Sequence, residues 1–230
     1  MRRFAGVTIE QIPDESTILK FRHFLEAHRL TETLFQRTEQ YLCEDDLILS
    51  EGTIVDATIV SAPSSTKNRD RQRDPEMKQT KKGNTWHFGM KMHVGSDLRG
   101  RVHSVVVTDA SVHDSQIMDD CLHGEEQTVY GDKAYADAEK QRQAESKGID
   151  WRVNRKAGRG RKLTCADKAF NRKSNRVRAR VEHAFGVIKH LWGYRKVRYR
   201  GLSKNAAQVF TLFALANLYM VRRELAVATG

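Results

Sequence analysis

The chain has 230 residues, 39% of them apolar, with a mean hydropathy of −0.63, enough to bury a sizeable core and consistent with a water-soluble protein. Its net charge is +11, and the excess is local: from Arg152 to Lys204 there are 18 Lys and Arg against only Asp167 and Glu182, so the remainder is net negative. Such a block points to a polyanionic partner, most simply nucleic acid, over a merely solvated basic surface. Cys43, Cys121 and Cys165 are odd in number, far apart and without a CxxC pair. That argues against a disulfide framework or a zinc knuckle and for reduced cytosolic thiols. The most apolar run, Ala206 to Val221, is interrupted by Gln208 and Asn217 and falls short of the roughly 20 residues a bilayer needs. It reads as a buried helix, and nothing reads as a signal peptide.

Residues 1–13 resemble the tail of a preceding region. Pro13-Asp14-Glu15-Ser16 is a helix start, continued by Ile18, Phe21 and Leu25 at helical spacing. A second helix is expected over Leu30 to Leu42. Thr53 to Ser61 (TIVDATIVS) is β-branched and apolar, a buried strand. Pro63 to Lys82 is polar and turn-rich and reads as a mobile insertion. Asn84 to Val94 is a strand with Trp86, Phe88, Met90 and Met92 on one face, turned at Asp97 to Gly100 and returning as Arg101 to Thr108. Asp114 reads as a cap before Ile117 to Leu122. Gln127 to Tyr130 is a short strand, Ala134 to Ser146 a helix ended by Lys147-Gly148, and Ile149 to Val153 a fifth strand. A Gly/Arg-rich loop at 157–162 precedes a long helix from about Asp167 to His190. Ser203 to Glu224 is the last helix. A mixed α/β sheet flanked by helices is the economical way to bury these faces.

Three acids stand out. Asp56 interrupts TIVDATIV, and strand alternation puts it on one face with Ile54 and Thr58. A carboxylate there is either paired with a cation or bound to a metal, because burying it alone costs several kcal/mol. Asp132 follows the strand TVY and opens a helix; it is either a helix cap or a ligand presented at a strand end. Glu182 is the only acid between Lys168 and Lys204. At about 100° per residue it shares a helix face with Asn175, Arg178 and Lys189, beside the apolar face of Val177, Val181, Ala184 and Ile188. Its plainer role is an i,i+4 ion pair with Arg178, contributing about 0.3–0.5 kcal/mol. Three acids on a strand, a strand end and a helix suit a two-metal site, since hard divalent ions take oxygen ligands. Arg178 and Lys189 would then grip phosphates. Asp109 lies near His113 and is a weaker candidate. His87, His93, His103 and His113 lack metal-ligand spacing. Trp86 and Trp192 read as core anchors. Tyr194 and Tyr199 lie within the basic run YRKVRYR, either packed or stacking on bases.

The segments GTIVDATIV, WHFGMKMHVGSD, TDASVHDS, VYGDKAYAD, RVRARVEHAFGVIKH and GYRKVRYRGL span most of residues 52–201, with LANLYMVRREL beyond. Together they resemble the DDE transposases of bacterial insertion sequences, specifically the insertion sequence 5 group. The family pattern Y-x2-R-x3-E-x6-K places Arg178, Glu182 and Lys189 in register, with Asn175 where the family has Tyr. The resemblance implies a ribonuclease H-like fold over residues 51–230. It also implies a helical segment over residues 1–50, the remnant of an N-terminal DNA-recognition region. By the same resemblance Asp56, Asp132 and Glu182 are catalytic and hold two Mg²⁺ or Mn²⁺ ions. The DNA-binding candidates are Asn175, Arg178, Lys189, Arg195, Lys196, Arg198 and Arg200. The implied partners are the element's terminal inverted repeats and target DNA, gripped by a homodimer, in the cytoplasm on the nucleoid. Two other readings remain: a non-catalytic DNA-binding remnant, and a ribonuclease H-like nuclease that cuts without joining.

Overall fold

The computed structural model describes residues 8, 12–158, 160 and 162–228. Most of the opening stretch before Pro13, and Arg159 and Arg161 of the Gly/Arg-rich loop, lie outside the described residues. Asp14 caps helix α1 (Glu15–Ala27), its carboxylate accepting from the Thr17 amide. Ile18, Phe21 and Phe24 of α1 are exposed, so its apolar side covers no core. Helix α2 (Leu30–Glu44) follows after Arg29 in the left-handed region. It is anchored by Phe35, which packs on Phe210, and by Leu42.

Strand β1 (Gly52–Ser61) is the centre of the sheet. On one side it pairs antiparallel with β3 (Thr85–Ser96), from Ile54 opposite Ser96 to Ser61 opposite Gly89. On the other it pairs parallel with β5 (Thr128–Gly131), which pairs parallel with β6 (Asp150–Val153). Strand β4 (Val102–Asp109) returns antiparallel along β3. A further strand, β2 (Lys78–Lys82), makes a hairpin with the first turn of β3, through Gly83 at φ +61°. The order β4-β3-β1-β5-β6, three antiparallel strands and then two parallel to the first, is the ribonuclease H-like arrangement. The expected mixed sheet is therefore present.

Strand alternation divides the apolar residues between two layers. Ile54, Val60, Met90, Met92 and Val94 pack with Val181, Ala184, Ile188, Val209 and Phe213 on one face. Val55, Val129 and Val153 pack with Met118, Cys121 and Tyr135 on the other. Each such large side chain contributes about 1.5–3 kcal/mol by leaving water. The last helix of the chain (Leu202–Ala228, α6 below) is the run read as buried. No helix among the described residues is long and apolar enough to cross a membrane.

Several local expectations are corrected. Trp86 is not a core anchor: it is 64% exposed, opposite Lys81 near the turn of the β2–β3 hairpin. Trp192 does pack, edge-on to Tyr219. The 63–82 insertion is tied down at its end, with Met77 buried and Asp74 and Glu76 accepting from the Gly201 and Leu202 amides at the start of α6. The segment expected as a helix from Ala134 splits into a short 3₁₀ turn and helix α3 (Ala138–Ser146), because Asp137 caps a new start. The stretch Ile117–Leu122 holds a 3₁₀ turn, not an α-helix. Asp114 is not the cap; His113 accepts from the Ser115 amide, and Asp114 receives the Lys91 ammonium at 2.8 Å.

The long helix expected from about Asp167 to His190 is interrupted. It runs as α4 (Cys165–Arg178), tightens at Ala179-Arg180, and resumes as α5 (Val181–Gly186), which opens into a π-helical turn at Val187–Leu191. At the break the Arg180 amide bonds Val177 O and His183 bonds Arg180 O, both three residues back. The cause is tertiary. The turn between β3 and β4 lodges against this point, with Arg180 donating to Leu98 O at 2.6 Å. A Cβ on Gly100 would lie 2.3 Å from Arg180 O.

Candidate active site

Beyond the last β1–β5 pair, Val55 with Gly131, the two strands part. Their ends, α5 and the β2–β3 hairpin enclose an open cleft of about 890 Å³. Asp56, Asp132 and Glu182 all line it, together with Lys82, Arg178, Lys189 and Arg195. Three carboxylates read from distant parts of the sequence thus meet one cleft, faced by four cations.

Asp56 is the most constrained of the three. One oxygen accepts from the Ala57 amide at 2.8 Å, and the other faces Arg178 Nη2 at 3.3 Å. Burial pushes its carboxyl above the usual carboxylate range; Arg178 and the Ala57 amide pull it down, and the charge of Asp132 adds to the rise. Asp132 caps the 3₁₀ turn Lys133–Tyr135 by accepting from the Ala134 amide. The cap and the cleft wall prove compatible, because only one carboxylate oxygen is used.

Glu182 stands on α5 across the cleft, exposed, and among the described residues forms no hydrogen bond or ion pair. The i,i+4 pair with Arg178 is absent, since the break at Ala179-Arg180 separates the two and Arg178 reaches β1 instead.

The other candidates divide. Asn175 orients Arg178: its Oδ1 accepts from Arg178 Nη1 at 3.1 Å and from Asn154 Nδ2 at 2.7 Å. Lys189 is tied down, donating to Thr58 Oγ1 at 2.8 Å and Ile59 O at 2.7 Å. Burial, with Lys82 and Arg195 nearby, lowers its ammonium pKa. Arg195 donates to Lys189 O and also meets His190 Nδ1. Arg200 is paired with Asp70 at 3.0 Å, while Lys196 and Arg198 are exposed outside the cleft. Tyr194 is 1% exposed and cannot stack on a base; Tyr199 is half-buried with Arg22 over its ring.

Sequence reasoning missed Lys82, His87 and His190 in the cleft, and Asn154 behind it. Thr58 was signalled by its alternation with Asp56. Nothing local marks Lys82 or His87, which the hairpin alone brings to the cleft.

The donor chemistry suits a hard divalent ion: the carboxylates supply oxygen only, and Asp56 and Asp132 repel each other in a partly dry cleft. Among the described residues no three acidic, histidine or cysteine side chains stand close enough to hold one ion together.

The ribonuclease H-like sheet thus carries Asp56 on its central strand and Asp132 just past the end of the neighbouring strand, with Glu182 on α5 across the cleft. The family model described as Transposase DDE domain matches residues 49–218, most of the chain. The protein belongs to the transposase DDE domain family. Its general function is that family's: DNA recombination by a transposase, with DNA as the partner.

Proposed function

We propose that this transposase is of the insertion sequence 5 type and that it cuts phosphodiesters at the element's ends and joins the freed 3′-hydroxyl to target DNA. The observation that carries the proposal is the convergence of Asp56, Asp132 and Glu182 on one cation-walled cleft. Asp56, Asp132 and Glu182 would hold two Mg²⁺ or Mn²⁺ ions. When bound, such ions activate the attacking oxygen and stabilise the leaving one in an in-line displacement. The chain itself does the positioning. The Ala57 amide fixes Asp56, and the Ala134 amide fixes Asp132. Arg178, Lys82 and Arg195 supply positive charge where a phosphate backbone would lie. A dimer, one subunit for each element end, is part of this proposal.

The test is cleavage and strand joining on linear DNA carrying the element's terminal repeats, with Mg²⁺ or Mn²⁺. Asp56→Asn, Asp132→Asn and Glu182→Gln should each reduce both reactions by about a thousandfold or more, with DNA affinity close to that of the unaltered protein. Joining that survives in any one of them removes that residue from the chemistry. Cutting without joining in the unaltered protein turns the assignment to a nuclease.

A further inference from the structure

Arg178 is expected to face DNA, yet its guanidinium lies on a carboxylate of the site. It is only 15% exposed, with Nη2 on Asp56 Oδ2 and Nη1 on Asn175 Oδ1. The arrangement is held from behind. Asn175 Oδ1 also accepts from Asn154 Nδ2, and the Asn154 amide donates to Gly131 O at the end of β5, one residue before Asp132. The relay Asn154–Asn175–Arg178–Asp56 thus runs from the strand end that carries Asp132 to the strand that carries Asp56. It is under-satisfied: Arg178 Nε and Asn154 Oδ1 are buried without a hydrogen-bond partner. Leaving such groups unpaired costs free energy.

We propose that Arg178 is an internal counter-ion that competes with the divalent metal for Asp56, held in place by Asn175. Metal binding displaces the guanidinium, which is then free to turn to a DNA phosphate, so that metal loading and the DNA contact are one event. The inference rests on the reading of Asp56 as a metal ligand. It assigns Asn154 and Asn175 as positioning residues, and it accounts for why Glu182 is not paired with Arg178.

The test is Mn²⁺ binding to the whole chain without DNA, followed by electron paramagnetic resonance of the free ion. Arg178→Gln should bind Mn²⁺ more tightly, on the order of tenfold, because the competing charge is gone. Losing a cation near the site has that effect even without competition, so the deciding variant is Asn175→Leu, at an exposed helix position. It leaves every charge in place and removes the acceptor that holds Arg178, along with its bond from Asn154 Nδ2; a severalfold tightening is expected. Unchanged or weaker binding in Asn175→Leu overturns the proposal. Asp56→Asn separates the two levels. If it abolishes tight Mn²⁺ binding while Asn175→Leu has no effect, only the counter-ion role falls. If it leaves Mn²⁺ binding intact, the reading of Asp56 as a ligand falls with it. DNA binding gives a second readout: Arg178→Gln should lose affinity with Ca²⁺ present and little without metal. An equal loss in both conditions also overturns the proposal.

Discussion

His93 and His103 show how burial changes what a residue contributes. Both imidazoles are driven down to about 4, chiefly by burial; Asp114 opposes the shift at His93 and Lys91 adds to it, while His123 adds to it and Glu126 opposes it at His103. The ordinary value is 6.5, so the unfolded chain takes up these protons near pH 6.5 and the folded chain only near pH 4. Stability is therefore full above about pH 6.5 and falls as the pH drops toward 4, by on the order of 2–3 kcal/mol per ring. Urea unfolding at about pH 7.5, above the window, and at about pH 4.5, near its lower end, should show this loss, and His93→Gln should flatten it. Equal slopes in the two proteins would mean His93 is not buried neutral. At this scale the sequence was informative about carboxylates and not about their partners. Asp56 stood out because an acid in TIVDATIV has no solvent to lean on. That Arg178 is its counter-ion depends on a helix break invisible in the residues around it.

The elements that set the site are the ones whose junctions are tight. Gly100 has φ +86° and leaves no room for a Cβ beside Arg180 O. Gly100→Ala should cost about 2 kcal/mol or more, from the left-handed strain and the clash together. It should also disturb the Ala179-Arg180 break that sends Arg178 and Glu182 to different places. Thermal unfolding checks the first effect, and a changed Mn²⁺ affinity checks the second. Helix α6 docks through a polar clamp: buried Asn217 accepts from the Val102 amide at 2.9 Å and donates to Val102 O at 2.6 Å, extending the edge strand β4. Asn217→Leu strands both backbone groups and should lower stability by about 2–4 kcal/mol, read as a fall in the denaturant midpoint. In the sequence Asn217 only marked a helix too polar for a membrane; its partner lies 115 positions away. Likewise the acids of the 63–82 insertion looked merely hydrophilic, whereas Asp74 and Glu76 secure the first amides of α6.

Across the whole molecule, Arg178, Lys189 and Arg195 of the basic stretch 152–204 line the cleft, and the β2–β3 hairpin brings Lys82 into it. DNA affinity should therefore weaken steeply with salt. Lys82→Ala should lower the slope of log affinity against log salt by about 1, with folding unaffected, because Lys82 is exposed. An unchanged slope would place the DNA elsewhere than over the cleft.

Periodicity and composition determined the strands, most helices, the apolar layers and the three acids, because alternation and burial are properties of short runs of chain. The resemblance carried by six segments pointed to the transposase family, which the match over residues 49–218 shows. Tertiary structure decided the rest. Whether Asp132 caps or lines the cleft, whether Trp86 packs, where the long helix breaks and which cation Asp56 meets all depend on contacts between residues far apart in the chain. Those contacts follow from how the sheet, the hairpin and the helices come together, which no local pattern encodes.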